Sequence, residues 1–71
     1  SDVCSMKRLD FERHLNQNSC KLLREGGSHS IWVNTLSEMH TSLPRHKEID
    51  NRLCKNICKQ LGILPPARIK L

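Results

Sequence analysis

The chain has 71 residues, and twelve Lys and Arg against seven Asp and Glu give it a formal net charge of +5 and a pI near 9.4. A domain of this size buries only roughly 60% of the surface that its unfolded chain exposes, so a deep, enclosed substrate cavity is not expected. The excess positive charge predicts a polyanionic partner, with nucleic acid ahead of a membrane surface.

The lack of a recognisable targeting signal and the expected state of the cysteines both favour a cytoplasmic protein. No segment approaches the ~20 apolar residues of a membrane span, and the first residues lack the apolar core of a signal peptide. Cytosolic thiols normally stay reduced, so the four cysteines, at positions 4, 20, 54 and 58, are expected to be free rather than paired.

The domain is expected to cover residues 6–63. Residues 1–5 show no periodicity and precede a Met-Lys-Arg typical of a chain start, so they are predicted to be an extension. Residues 64–71 form a short tail interrupted by proline, for which no structure is predicted.

The first predicted element is a short helix over residues 7–17. Phe11 and Leu15 are four residues apart and form a narrow apolar face. Asn18 and Ser19 end the helix, and Asn18 is the residue expected to adopt the left-handed conformation.

A three-stranded antiparallel meander follows. Residues 20–25 and 28–33 resemble two strands around Gly26 and Gly27, a pattern typical of a β-hairpin. A second turn leads to a strand over residues 39–43, and Pro44 is expected to close it because proline donates no hydrogen bond to a ladder.

The last element is a helix over residues 51–61. Its apolar face is predicted to hold Leu53, Cys54, Ile57, Cys58 and Leu61, and its opposite face to hold Arg52, Lys55 and Lys59. Asp50 is the expected N-cap, Ile49 and Cys54 have the spacing of a hydrophobic staple, and Gly62 is placed to end the helix in a Schellman motif.

These elements predict an α+β domain of order α-β-β-β-α, with both helices on one face of the sheet. Strand alternation puts Trp32 and Ser30 on one face and His29, Ile31 and Val33 on the other. Because a single large aromatic side chain suits a thin core, we place Trp32 against the helices and His29 on the open face. A bulge at Gly26 and Gly27 would reverse this assignment.

Four short motifs now give a resemblance to a known family. They are Met6-Lys-Arg with Phe11 and Leu15, the segment from Arg24 to Ser30 that contains Gly-Ser-His, Ser42-Leu-Pro-Arg-His-Lys-Glu-Ile49, and Ile57-Cys-Lys-Gln-Leu-Gly-Ile63. In this order and spacing the chain resembles the HicA toxins of toxin–antitoxin systems, small endoribonucleases with a double-stranded-RNA-binding-domain-like fold.

The resemblance implies that His29 is catalytic, that the substrate is mRNA and that a HicB-type antitoxin inhibits the enzyme. The Pro-Arg-His motif of the family corresponds to Pro44, Arg45 and His46. The chain departs from the family at Ser19, where many members have glycine, and at Glu12, where many are apolar.

Metal-independent RNA cleavage needs a 2′-hydroxyl to lose a proton, the phosphorane charge to be stabilised and the 5′-oxygen to gain a proton. Histidine exchanges protons near neutral pH, so His29 is the expected general base, with His46 a more distant candidate for second proton carrier. The expected phosphate contacts are the backbone of Gly27 and Ser28 together with Arg24 or Arg45. Further candidate RNA contacts are His46, Lys47, Arg52, Lys55 and Lys59. No cofactor is expected.

Several alternatives stay open at this point. The same fold suits a non-catalytic RNA-binding module, or a structural or DNA-binding accessory of the toxin–antitoxin complex. Cys54 and Cys58 have a spacing that zinc ligands sometimes show, although their apolar positions favour core packing. If Ile31 and Val33 face outward beside His29, either the antitoxin or the tail over residues 63–71 is expected to cover them.

Overall fold

A computed structural model describes residues 5–66 as two helices and five strands. In chain order these are β1 (Ser5–Lys7), α1 (Arg8–Gln17), β2 (Cys20–Glu25), β3 (His29–Asn34), β4 (His40–Pro44), β5 (Glu48–Asp50) and α2 (Asn51–Leu61). The predicted tail therefore lies mostly outside the described residues, as do residues 1–4.

The main sheet is antiparallel, in the order β2-β3-β4, and both helices pack on one of its faces. Along β3, exposed or half-buried residues alternate with Ser30, Trp32 and Asn34, which are buried. Trp32 is only 4% exposed, so the predicted assignment of faces is confirmed. The sheet has the predicted order and the predicted α-β-β-β-α arrangement of elements.

The core lies between this sheet and the helices. Its largest fully buried side chains are Phe11, Leu15, Leu43, Ile49, Ile57 and Leu61, with Cys20, Cys54 and Cys58 filling the space among them. Leu53, predicted on the apolar face of α2, is 36% exposed and therefore lies at the edge of that face.

Local signals set both ends of α2. The Asp50 carboxylate accepts a hydrogen bond from the Arg52 backbone N–H at 2.7 Å, as an N-cap does. Gly62 has a φ of 74° and donates to the Lys59 carbonyl, while Ile63 donates to the Cys58 carbonyl. These two bonds form the predicted Schellman motif.

The end of α1 differs from the prediction. Asn18 has a φ of −112°, and Ser19 has the left-handed φ of 67°. The Asn18 side chain instead donates to the His14 carbonyl at 2.8 Å. Ser19 turns the chain towards β2, and its carbonyl accepts hydrogen bonds from both the backbone N–H and the hydroxyl of Thr35.

Two features were not predicted. The short strands β1 and β5 pair in antiparallel register, with Met6 opposite Ile49 and Ser5 opposite Asp50. The register of β2 shifts between Leu22 and Arg24, so the bulge lies at Leu23 rather than at the hairpin tip. Because the bulge precedes Arg24 on the edge strand, the faces of β3 are unchanged.

Candidate active site

His29 lies at the tip of the β2–β3 hairpin, as the first residue of β3, and its side chain is exposed. Its carbonyl accepts a hydrogen bond from the Gly26 backbone N–H at 2.7 Å, which closes the tip. A Cβ on Gly26 would meet that carbonyl oxygen at 3.1 Å, whereas one on Gly27 would meet nothing within 4 Å. The tip is therefore tight at Gly26 and open to an approaching group at Gly27.

The chain after β4 holds this tip from the side. Pro44 is the Cα partner of His29 across the β3–β4 ladder. Directly after it, the Arg45 backbone N–H donates to the Ser28 carbonyl at 3.2 Å, and the Arg45 guanidinium donates to the Gly26 carbonyl at 3.3 Å. The structure thus brings Gly27, Ser28, His29 and Arg45 together.

The open face extends from the tip along the sheet. Register places Arg24 opposite Ile31 and Lys21 opposite Val33, so these cations share a face with His29. On the other side, β4 contributes Pro44, Ser42 and His40 to the same face. Ile31 and Val33 are half-buried at its centre. This face therefore combines an apolar centre with histidines and cations around it.

The remaining basic candidates lie elsewhere. His46 and Lys47 are exposed between β4 and β5, and Lys47 lines a groove of about 410 Å³ with the start of α1. Lys55 and Lys59 line a second groove of about 430 Å³ along α2. Arg52, Lys55 and Lys59 are exposed on the side of α2 opposite its buried residues, so they face away from the sheet.

Three cysteines, Cys20, Cys54 and Cys58, belong to the core. Burial raises the pKa of Cys54 to about 12 and that of Cys58 to about 11, with a smaller contribution from the charge of neighbouring groups, and it also raises the pKa of Cys20. All three are free thiols that stay protonated at neutral pH. Within residues 5–66, no three His, Cys, Asp or Glu side chains lie together as metal ligands would.

His14 has a structural role that its local sequence does not indicate. Its Nε2 donates to the Leu64 carbonyl at 2.8 Å, and its ring stacks on Phe11 with centroids 6.3 Å apart. His14 thereby fastens the segment after α2 to α1. The partner is fifty residues away in sequence, so no local pattern indicates this contact.

The fold and the site define a small α-β-β-β-α domain that presents a histidine from a hairpin tip on an uncovered sheet face. A family model described as the HicA toxin of bacterial toxin–antitoxin systems matches residues 9–63, so the chain belongs to the HicA toxin family. The protein is accordingly the toxin of such a system and pairs with an antitoxin. Comparisons with curated proteins and with solved structures give no match. Over the described residues, neither helix is long and apolar enough to cross a membrane.

Proposed function

We propose that this toxin is an endoribonuclease that cleaves mRNA without a metal ion, with His29 as its general base. The observation that carries the proposal is the position of His29, exposed at a hairpin tip that is open at Gly27. A ribose and a phosphate reach such a tip without a deep cavity, which suits a domain of this size.

In the proposed reaction His29 takes the proton from a ribose 2′-hydroxyl. The 2′-oxygen attacks the adjacent phosphorus, and the bond from phosphorus to the 5′-oxygen breaks, which leaves a 2′,3′-cyclic phosphate. The 5′-oxygen gains a proton from the protonated imidazole, from water or from His46, which is exposed beyond Arg45. Backbone N–H groups of Gly27 and Ser28 and the side chain of Arg24 stabilise the negative charge on the phosphorane.

Cations beyond the tip extend the proposed RNA contact. Helix α2 carries Arg52, Lys55 and Lys59 but no acidic residue, whereas α1 pairs Arg8 with Glu12 at 3.4 Å. Like charges three and four residues apart destabilise a helix slightly, although Lys59 lies in the last turn, where a cation favours the helix dipole. The stripe therefore adds little to the stability of the helix. Together with Lys47 it suits the phosphates of a longer RNA chain.

We further propose that a HicB-type antitoxin inhibits the enzyme by covering the open face. Ile31 and Val33 are half-buried beside His29, and the described part of the chain places no helix over them. A partner that buries this apolar centre also blocks access of RNA to His29.

The deciding experiment compares His29→Ala with wild type on a labelled RNA in the presence of EDTA. Loss of a positioned general base lowers the cleavage rate at least about a hundredfold, while the melting temperature stays the same. His40→Ala is the matched control, because His40 is an exposed histidine at the far end of the same face, opposite Val33.

Three outcomes would contradict parts of this proposal. Cleavage that persists in His29→Ala removes the catalytic role of His29. Cleavage that disappears only in EDTA shows that a metal is required. A wild-type protein that binds RNA and never cleaves it, with the same affinity in His29→Ala, indicates a non-catalytic RNA-binding module.

A further inference from the structure

We propose that Arg45 is a positioning residue, which holds the hairpin tip and thereby orients His29, rather than a phosphate ligand. The expected effect of Arg45 on the rate of RNA cleavage rests on the proposed function. The positioning role follows from the conformation of the tip and from the two hydrogen bonds that Arg45 makes.

The tip does not have the geometry that stabilises short hairpins on their own. Two-residue hairpin loops favour turns with positive φ, because the twist of those turns matches the twist of the strands. Among residues 5–66, Gly62 is the glycine with a left-handed φ, and Ser19 and Glu38 are the other residues with one. The bond from the Gly26 N–H to the His29 carbonyl leaves Gly27 and Ser28 as the two loop residues. Neither of them has a left-handed φ, so the tip needs support from outside the hairpin.

Arg45 supplies that support at two points. Its backbone N–H binds the Ser28 carbonyl and its guanidinium binds the Gly26 carbonyl, at 3.2 and 3.3 Å. These carbonyls lie on either side of Gly27, and Gly26 also donates to the His29 carbonyl. The guanidinium therefore holds Gly26, whose backbone N–H is bonded to the His29 carbonyl.

The position of Arg45 in the chain makes the support stiff. It follows Pro44, whose ring fixes its own φ and which is paired with His29 in the sheet. The start of the Arg45 side chain is therefore set by the same ladder that positions His29.

The test compares Arg45→Met with Arg45→Lys. Both keep a long apolar stem, but only lysine donates to the Gly26 carbonyl. In Arg45→Met we expect the Gly26 amide to exchange with deuterium about fivefold faster, since its bond to His29 is no longer braced. We also expect kcat to fall roughly ten- to hundredfold with KM unchanged, because a misplaced catalytic group slows the chemical step without weakening binding. Arg45→Lys should recover most of both.

Arg13→Ala is the control for removal of an exposed cation, because Arg13 lies on α1 away from the tip. Unchanged Gly26 exchange in Arg45→Met overturns the proposal. A higher KM with kcat retained, and a salt dependence of binding reduced by about one ion, also overturns it and makes Arg45 a phosphate contact. If wild type does not cleave RNA, the proposed function fails, and amide exchange at Gly26 still decides the bracing role.

Discussion

The two faces of the three-stranded sheet are built from the same strands, but one packs against the helices and the other is left uncovered by them. On the covered face, Ser30, Trp32 and Asn34 are buried against the helices. On the open face, His29 is exposed and Ile31 and Val33 are only half-buried. A single strand thus supplies the core with every second residue and the proposed antitoxin surface with the others. The comparison teaches that substitutions on the two faces should separate stability from function.

The largest effect on stability is expected at Asn34 on the covered face. Its side-chain amide donates to the Leu61 carbonyl at 2.7 Å, and its Oδ1 accepts from the Leu36 and Ser37 backbone N–H groups. Asn34→Ala removes these bonds and leaves the Leu61 carbonyl without this donor, which should lower the free energy of unfolding by about 2–3 kcal/mol.

Urea unfolding measures this loss, with Ser42→Ala as the control on the exposed side of β4. Ser42→Ala should change stability by less than about 0.5 kcal/mol. Equal losses in the two variants would show that the faces do not differ in the way described.

Substitutions on the open face should change the affinity for the antitoxin rather than the stability of the fold. Ile31→Glu places a charge at the centre of the proposed antitoxin interface, and we expect its affinity for a HicB-type antitoxin to fall about ten- to hundredfold. The side chain lies next to Arg24 across the ladder, so the new carboxylate has a cation nearby and the free energy of unfolding should change by less than about 1 kcal/mol.

Titration calorimetry in a His29→Ala background measures this affinity without a toxic activity. Gln17→Glu, an exposed position at the end of α1, adds the same charge away from the sheet and should bind as the parent does. Unchanged affinity in Ile31→Glu would mean that the antitoxin binds another surface.

Features with local causes were predictable from sequence. Helix α2 begins after Asp50 and ends at Gly62, as expected, because an N-cap and a left-handed glycine each act within one turn of the helix. The faces of β3 followed from strict alternation. The HicA resemblance also placed the chain in a family that the family model independently supports.

Features that depend on distant partners were not predictable. The bond of the Arg45 guanidinium to Gly26 spans nineteen residues, and that of His14 to Leu64 spans fifty. The pairing of Ser5 with Asp50 joins segments whose three-residue length gives no periodic signal. The assembly of the site around Gly27, Ser28 and Arg45 is therefore a result of tertiary structure, even though its histidine was evident in the sequence.

The smallest predicted effect lies at Ser19, which connects α1 to β2. Its φ of 67° costs an L-residue roughly 1–2 kcal/mol, part of which glycine's greater freedom in the unfolded chain offsets. Ser19→Gly should therefore raise the free energy of unfolding by about 0.5–1 kcal/mol, measured by urea unfolding, and leave RNA cleavage unchanged. Asn16→Gly, at an exposed position within α1, should lower it by roughly 0.3 kcal/mol because glycine is a weaker helix former than asparagine. A loss of stability in both variants would show that Ser19 stabilises the native chain through its side chain and that its left-handed backbone is not strained.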